Sequence, residues 1–407
     1  MMSSSKLSFL NLVAICAIIL QLPLEYIHSM LFAFGYIDEV GMLKGIAKLS
    51  LFCFLMIGTV NVLFYITWSR GLKELLLFIL FIISVSVITI YHLFSIDFQD
   101  IFDSIFLFYV QIIFLNLYCF MIGLHYPKLS SSVGAKLSVV FCFLYLCMIT
   151  ITLANVDLSR LQLDLNAISN YENKSMYLFW ADALAIFSFF IICSVRHDYY
   201  KLIIIFTTTF MLYVLLSRTS LYLYVFVSFI YFFSKKNYVF LFFVGMSLIL
   251  TLSMIGEDII KSRMLAFLFS GDDSSWNSRT FMLMDGLNDI GKNFIFGRFA
   301  GQVTNFGEIG YYIHNMISYW RQYGVFVFLM MVALIFPLIR MCFMSIRGRL
   351  CFDDAEIVLI VIGSSFTLMS IFISRSFNYP YIFIMIGLYQ GYKIRKMSCN
   401  RSSFVRA

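Results

Sequence analysis

The stretch Glu74–Phe94, ELLLFILFIISVSVITIYHLF, decides the fold class. Past Glu74 it holds no carboxylate, lysine or arginine. Its polar groups are hydroxyls and one imidazole, His92. A helix rises 1.5 Å per residue, so roughly 20 such residues cross the ~30 Å hydrocarbon core of a bilayer. The run is continuous rather than alternating, which argues against a strand of a membrane β-barrel.

Similar apolar runs fall near 7–24, 46–67, 74–94, 104–124, 137–154, 176–195, 202–216, 219–233, 238–255, 322–340, 356–374 and 379–392. The chain is 61% hydrophobic and 13% charged, with a mean hydropathy of +0.91. A soluble core of 407 residues has no use for that much apolar surface, but lipid-facing helices do. We therefore expect an all-α polytopic membrane protein of about 12 transmembrane helices, with residues 1–407 forming a single membrane domain. The pair 202–216 and 219–233 is separated only by Ser217-Arg218-Thr219-Ser220. The run after Lys6 reads as a retained first span, because bulky Gln21-Leu22-Pro23-Leu24 follows it instead of a small-residue cleavage site. Nine cysteines show neither disulfide nor metal-ligand spacing, and we expect neither a metal nor a cofactor.

The net charge of +7 would suggest nucleic acid in a soluble protein, but the basic residues lie in short loops between apolar runs. With the N-terminus inside, 17 of the 29 basic residues fall on the inner side, among them Lys128, Lys136, Arg196, Lys201, Lys235 and Lys236. The loop 95–103 on the other side has three aspartates and no basic residue. This asymmetry puts both termini in the cytoplasm and the segment 256–321 outside, in the periplasm if the host is Gram-negative.

That segment is the long polar interruption of the chain. It carries Arg263, Arg279, Arg298, Arg321 and His314; Arg218 and Arg375 fall at the same membrane face. Arginine gathered on the side that usually lacks it points to a bound anion, and its planar fork suits phosphate. Ser278 precedes an expected helix over 279–290, with Gly291 at its C-cap. If 312–322 is helical, His314, Ser318 and Arg321 share one face. A neutral imidazole there could take a proton from a sugar hydroxyl, and an adjacent arginine would help keep it neutral. Asp182 lies inside the run 176–195, where a carboxylate is either functional or paired with an arginine. Asp272-Asp273 and Asp353-Asp354 read as solvated loop.

Five elements together resemble the O-antigen polymerase and O-antigen ligase superfamily. They are Ser217-Arg218-Thr219-Ser220, Asn277-Ser278-Arg279-Thr280-Phe281, Phe294-Ile295-Phe296-Gly297, His314-Asn315 and Tyr323-Gly324. The resemblance implies a metal-independent glycosyltransferase of the membrane-embedded C type, a GT-C-like fold acting on an undecaprenyl-pyrophosphate-linked oligosaccharide. His314 would be the base and Arg218 and Arg279 would bind pyrophosphate, with Arg298, Arg321 and Arg375 as further pyrophosphate-binding residues. The leading expectation is polymerisation of O-antigen repeat units at the outer face of the inner membrane, with a chain-length regulator as partner and no nucleic acid. The alternatives are ligation of glycan to lipid A–core, or a non-enzymatic flippase of lipid-linked oligosaccharide. A flippase would be expected to show two similar halves and deep charges in its spans. Arg321-Gln322-Tyr323 stands where many family members place an acid, which departs from the pattern on the acceptor side.

Overall fold

The computed structural model describes residues 8–38, 41–65, 68–95, 102–157, 159, 161–168, 176–235, 242, 245–246, 274–306, 313–350 and 354–404. The expected run 238–255 therefore falls largely outside the described residues, as do Arg263, Asp272-Asp273, Asp353 and the glycines at 307 and 310.

The architecture is all-α. The helices are α1 (Phe9–Ala33), α2 (Gly41–Tyr65), α3 (Trp68–Ser95), α4 (Phe102–His125), α5 (Ser131–Ala154), α6 (Met176–Ser194), α7 (Asp198–Val214) and α8 (Arg218–Ser234). They continue with α9 (Ser274–Lys292), α10 (Gly301–Phe306), α11 (Ile317–Ile346), α12 (Ala355–Ile373) and α13 (Tyr381–Phe404). A two-stranded antiparallel hairpin pairs Val156 with Leu163 and Asp157 with Gln162. Among the described residues, eight helices are long and apolar enough to cross a membrane: α1 to α6, α11 and α12. These are the helices of a multi-pass membrane protein. The expected runs 202–216 and 219–233 are both helical, and α7 and α8 have 17 residues each, about 25 Å, shorter than the eight.

The opening sequence shows why lipid is required. Along α3, Phe78, Phe81 and Val85 are buried, while Ile79, Ile83, Val87 and Ile90 on the other side are exposed. A helix apolar on both faces cannot keep one of them in water. Near its middle α1 widens into a π-turn, Leu20–Leu24, around Pro23. Proline has no N–H to donate, and the wider turn accommodates it without ending the helix.

The chain divides into two compact units. The first gathers the described parts of Met1–Leu51, Pro127–Asp272 and Cys342–Phe366. Its central helix is α6, in which every residue from Trp180 to Ile192 is buried. Hydrogen bonds join its neighbours: Trp180 Nε1 donates to Ser29 Oγ at 2.9 Å, Ser188 Oγ to the Tyr224 hydroxyl at 2.8 Å, and Tyr145 and Thr208 hydroxyls pair at 2.6 Å. In hydrocarbon such bonds hold helices together where hydrophobic sorting cannot.

The second unit gathers the described parts of Phe52–Tyr126, Asp273–Met341 and Thr367–Ala407. Here α4 and α13 meet backbone to backbone. A Cβ on Gly123 would strike the Ile384 carbonyl, and one on Gly387 the Phe120 carbonyl. Phe78 of α3 stacks on Phe120 with ring centroids 3.6 Å apart. Gly387→Val should force these helices apart at a cost of about 1–3 kcal/mol. The check is a lower thermal midpoint of the detergent-solubilised protein; an unchanged midpoint would refute the close crossing.

Candidate functional site

The polar core of the second unit is built on α9. This helix runs from Ser274 to Lys292, so Ser278 lies within it and Gly291 is helical rather than a cap. Asp285 and Asp289 stand four apart and share a face. Opposite them is Arg321 of α11, which is fully buried. Its Nε and Nη2 both donate to Asp289 Oδ2, at 3.0 and 2.7 Å, and Nη2 also reaches Asp285 Oδ2 at 2.7 Å. Arg298 Nη1 takes the other Asp289 oxygen at 2.8 Å. Two arginines and two carboxylates thus form one cluster with no net charge. Arg321 Nη1 is buried without a partner among the described residues; it is the donor that a water or bound anion would take.

Next to this cluster two backbones cross. The Arg298 N–H donates to the Arg321 carbonyl at 2.6 Å, and the Val325 N–H to the Phe294 carbonyl at 3.2 Å. Trp320 Nε1 donates to the same Phe294 oxygen at 3.0 Å. The crossing point is Gly297 (φ 71°) over Gly324 (φ 80°, ψ 178°), and it breaks α11 into two helical pieces. Both conformations favour glycine. A Cβ on Gly297 would also lie 2.6 Å from the Gly324 nitrogen.

A ring of neutral groups closes the core. The Tyr109 hydroxyl donates to Gln322 Oε1 at 3.0 Å, Gln322 Nε2 to Gln302 Oε1 at 2.8 Å, and Gln302 Nε2 returns to the Tyr109 oxygen at 3.3 Å. The Ala300 N–H also donates to Gln322 Oε1, at 2.9 Å. Gln302 and Gln322 are both fully buried.

His314 is placed differently from the sequence expectation. It sits in a bend before α11, which starts at Ile317, so the shared helical face of His314 and Arg321 does not form. Asn315 Oδ1 accepts the Ile317 N–H at 2.9 Å and caps the helix. Ser318 Oγ accepts the Phe377 N–H at 2.8 Å and pins the chain that follows α12. The charges acting on His314 are Arg279 and Arg375, and a hydrogen bond joins it to the Ser374 backbone. Burial above all, then the two guanidinium groups, lowers its pKa to about 4. The imidazole is therefore neutral at pH 7. With one ring N–H given to the backbone, the other nitrogen carries the basic lone pair. Arg279 is half-buried, and Arg375 is 9% exposed.

Arg218 belongs to the first unit. It opens α8, after Leu216 at φ 58°. The turn before it is fastened to α6: Ser217 and Ser220 hydroxyls pair at 2.7 Å, and Ser220 Oγ donates to Asp182 Oδ1 at 2.7 Å. Asp182 is 2% exposed, and its hydrogen bond makes it a positioning group for the turn that presents Arg218.

The site residues thus fall in three places: the His314, Arg279 and Arg375 group; the Arg298 and Arg321 cluster; and Arg218. Sequence reasoning missed Asp285, Asp289, Gln302, Gln322 and Tyr109. The i,i+4 spacing of the two aspartates inside an expected helix was the available signal. Asp289→Asn removes the charge that Arg321 and Arg298 share and should cost about 3–5 kcal/mol, because it leaves a buried cation under-compensated. Chemical denaturation of the solubilised protein measures this; a loss below about 1 kcal/mol would refute the cluster's role. No protein-family model matches this chain, and comparison with characterised proteins returns no relative.

Proposed function

We propose that the protein is a repeat-unit polymerase of O-antigen or a related surface polysaccharide, acting at the outer face of the inner membrane on an undecaprenyl-pyrophosphate-linked oligosaccharide. The observation that carries the reading is the half-buried His314, neutral at pH 7 and acted on by the charges of Arg279 and Arg375. A base and two cations held together fit a reaction in which a hydroxyl loses a proton while a pyrophosphate departs. The O-antigen-type resemblance of these motifs and the apolar helices support the same reading.

In this reading a sugar hydroxyl of the acceptor gives its proton to His314. Its oxygen attacks the anomeric carbon of the donor glycan, and the bond to pyrophosphate breaks. Arg279 and Arg375 hold the leaving pyrophosphate. Arg298 and Arg321 act at one remove, fixing α9 against α11. Arg218, in the first unit, is presented by the turn that Asp182 and Ser220 hold. Anchoring of both substrates in the membrane limits their search to a shared plane.

His314→Ala should abolish polymer at equal expression. In a deletion strain, a lipopolysaccharide core bearing one repeat unit supports the polymerase. A core bearing none indicates the ligase, and intact lipid-linked units trapped on the inner leaflet indicate a flippase.

The pH profile gives a second test. A base with a pKa of about 4 keeps kcat/KM flat from neutral pH down to that region, and activity falls only below it. Each guanidinium disfavours the imidazolium, so Arg279→Gln or Arg375→Gln should raise the acid limb toward the ordinary histidine value of about 6.5. A limb that stays in place in both variants would argue against His314 as the base.

A further inference from the structure

One end of the first unit holds a second basic site, made of residues outside the group around His314. A cavity of about 620 Å³ opens among the N-terminal ends of α5, α7 and α12 and the C-terminal ends of α6 and α8. Its volume falls within the ~300–1,000 Å³ typical of small-molecule sites. Arg196, His197, Lys201 and Lys235 line it, together with Ser130 and Ser194, and its described lining contains no carboxylate.

The charges here are out of balance. Lys201 is 8% exposed, and its Nζ donates to Asp198 Oδ1 at 3.0 Å and to the Tyr231 hydroxyl at 3.4 Å. Lys235 Nζ lies 3.8 Å from the same Asp198 oxygen and 5.3 Å from the centre of the Tyr231 ring. One carboxylate oxygen thus answers two ammonium groups, while Arg196 adds a third, exposed cation. Asp354, at the start of α12, directs Oδ1 to the Glu356 N–H at 3.0 Å. Burial lowers the Lys235 pKa, and the Lys201 cation beside it lowers it further. Three helix N-termini add partial positive charge at the same end, against two C-termini of opposite sign, which leaves the helix dipoles slightly positive in sum. The lining is thus suited to a negatively charged group.

We infer that this cavity binds a phosphate group, either the headgroup of an anionic phospholipid or a free phosphate. The basic-loop asymmetry of the sequence assigns this end to the inner face, where anionic headgroups meet basic pockets between helices. The Ser130 hydroxyl, the Arg196 guanidinium and the Lys235 ammonium supply donors for phosphate oxygens, and Lys201 is held in place by Asp198 and Tyr231.

The thermal midpoint of the full chain in mixed micelles tests the inference. Phosphatidylglycerol, phosphatidylcholine and inorganic phosphate are added separately, each at matched ionic strength. Saturation should raise the midpoint on the order of 5 °C. A shift with phosphatidylglycerol alone identifies a lipid headgroup, and a shift with inorganic phosphate identifies a free phosphate. Either shift should vanish in Lys235→Gln and Arg196→Gln; Arg196 is exposed and Lys235 half-buried at the end of α8, and the unliganded midpoint of each variant reports whether the unit stays folded. No shift with either phosphate source, or a shift of equal size in wild type and both variants, would overturn the proposal.

Discussion

The guanidinium of Arg321, with no exposure to solvent, sets the terms for the second unit. A buried cation of this kind is destabilising unless each of its charges is answered nearby. Asp285 and Asp289 supply that answer from α9, and Arg298, from the loop that follows, balances the second carboxylate charge. The pairing ties a polar helix to the start of an apolar one. That tie fixes α9, which carries Arg279, against the start of α11.

Much of the fold was legible in the sequence. Apolar runs are long-range signals that need no tertiary context, since lipid asks for the same residue types on every outward face. Hence α3, with its two apolar faces, was readable from Glu74–Phe94 alone. The site was less legible. Arg279, Arg375 and His314 could be picked out by type and membrane face, but their grouping could not. The helical pattern linked His314 to Arg321, whereas the chain bends at 314 and gives the histidine other partners. That bend depends on Asn315 capping Ile317 and on Ser318 binding the chain near Phe377, a contact spanning 59 positions. Periodicity carries no information about such contacts. Asp182 likewise was readable as a buried carboxylate but not as the acceptor of the Ser220 hydroxyl.

The arginines, alike in composition, differ in environment. Arg298 and Arg321 are neutralised by carboxylates, while Arg279 and Arg375 act on a histidine. The first pair maintains shape and the second sets an electrical field around an imidazole. Lys201 and Lys235 in the first unit form a further arrangement, in which cations outnumber the acid that meets them. Counting charges by sequence segment merges all three; counting them by neighbour separates them.

The crossing of Gly297 and Gly324 joins two short motifs, 27 residues apart, into one object. Neither position tolerates a side chain while the other strand lies against it. In a lineage that keeps this crossing, the two sites cannot drift separately: a Cβ at either one removes the geometric reason for glycine at the other. They should therefore be inherited as a single character, retained together or lost together, and an alignment that shows one without the other would mark a chain whose α11 has become an unbroken helix.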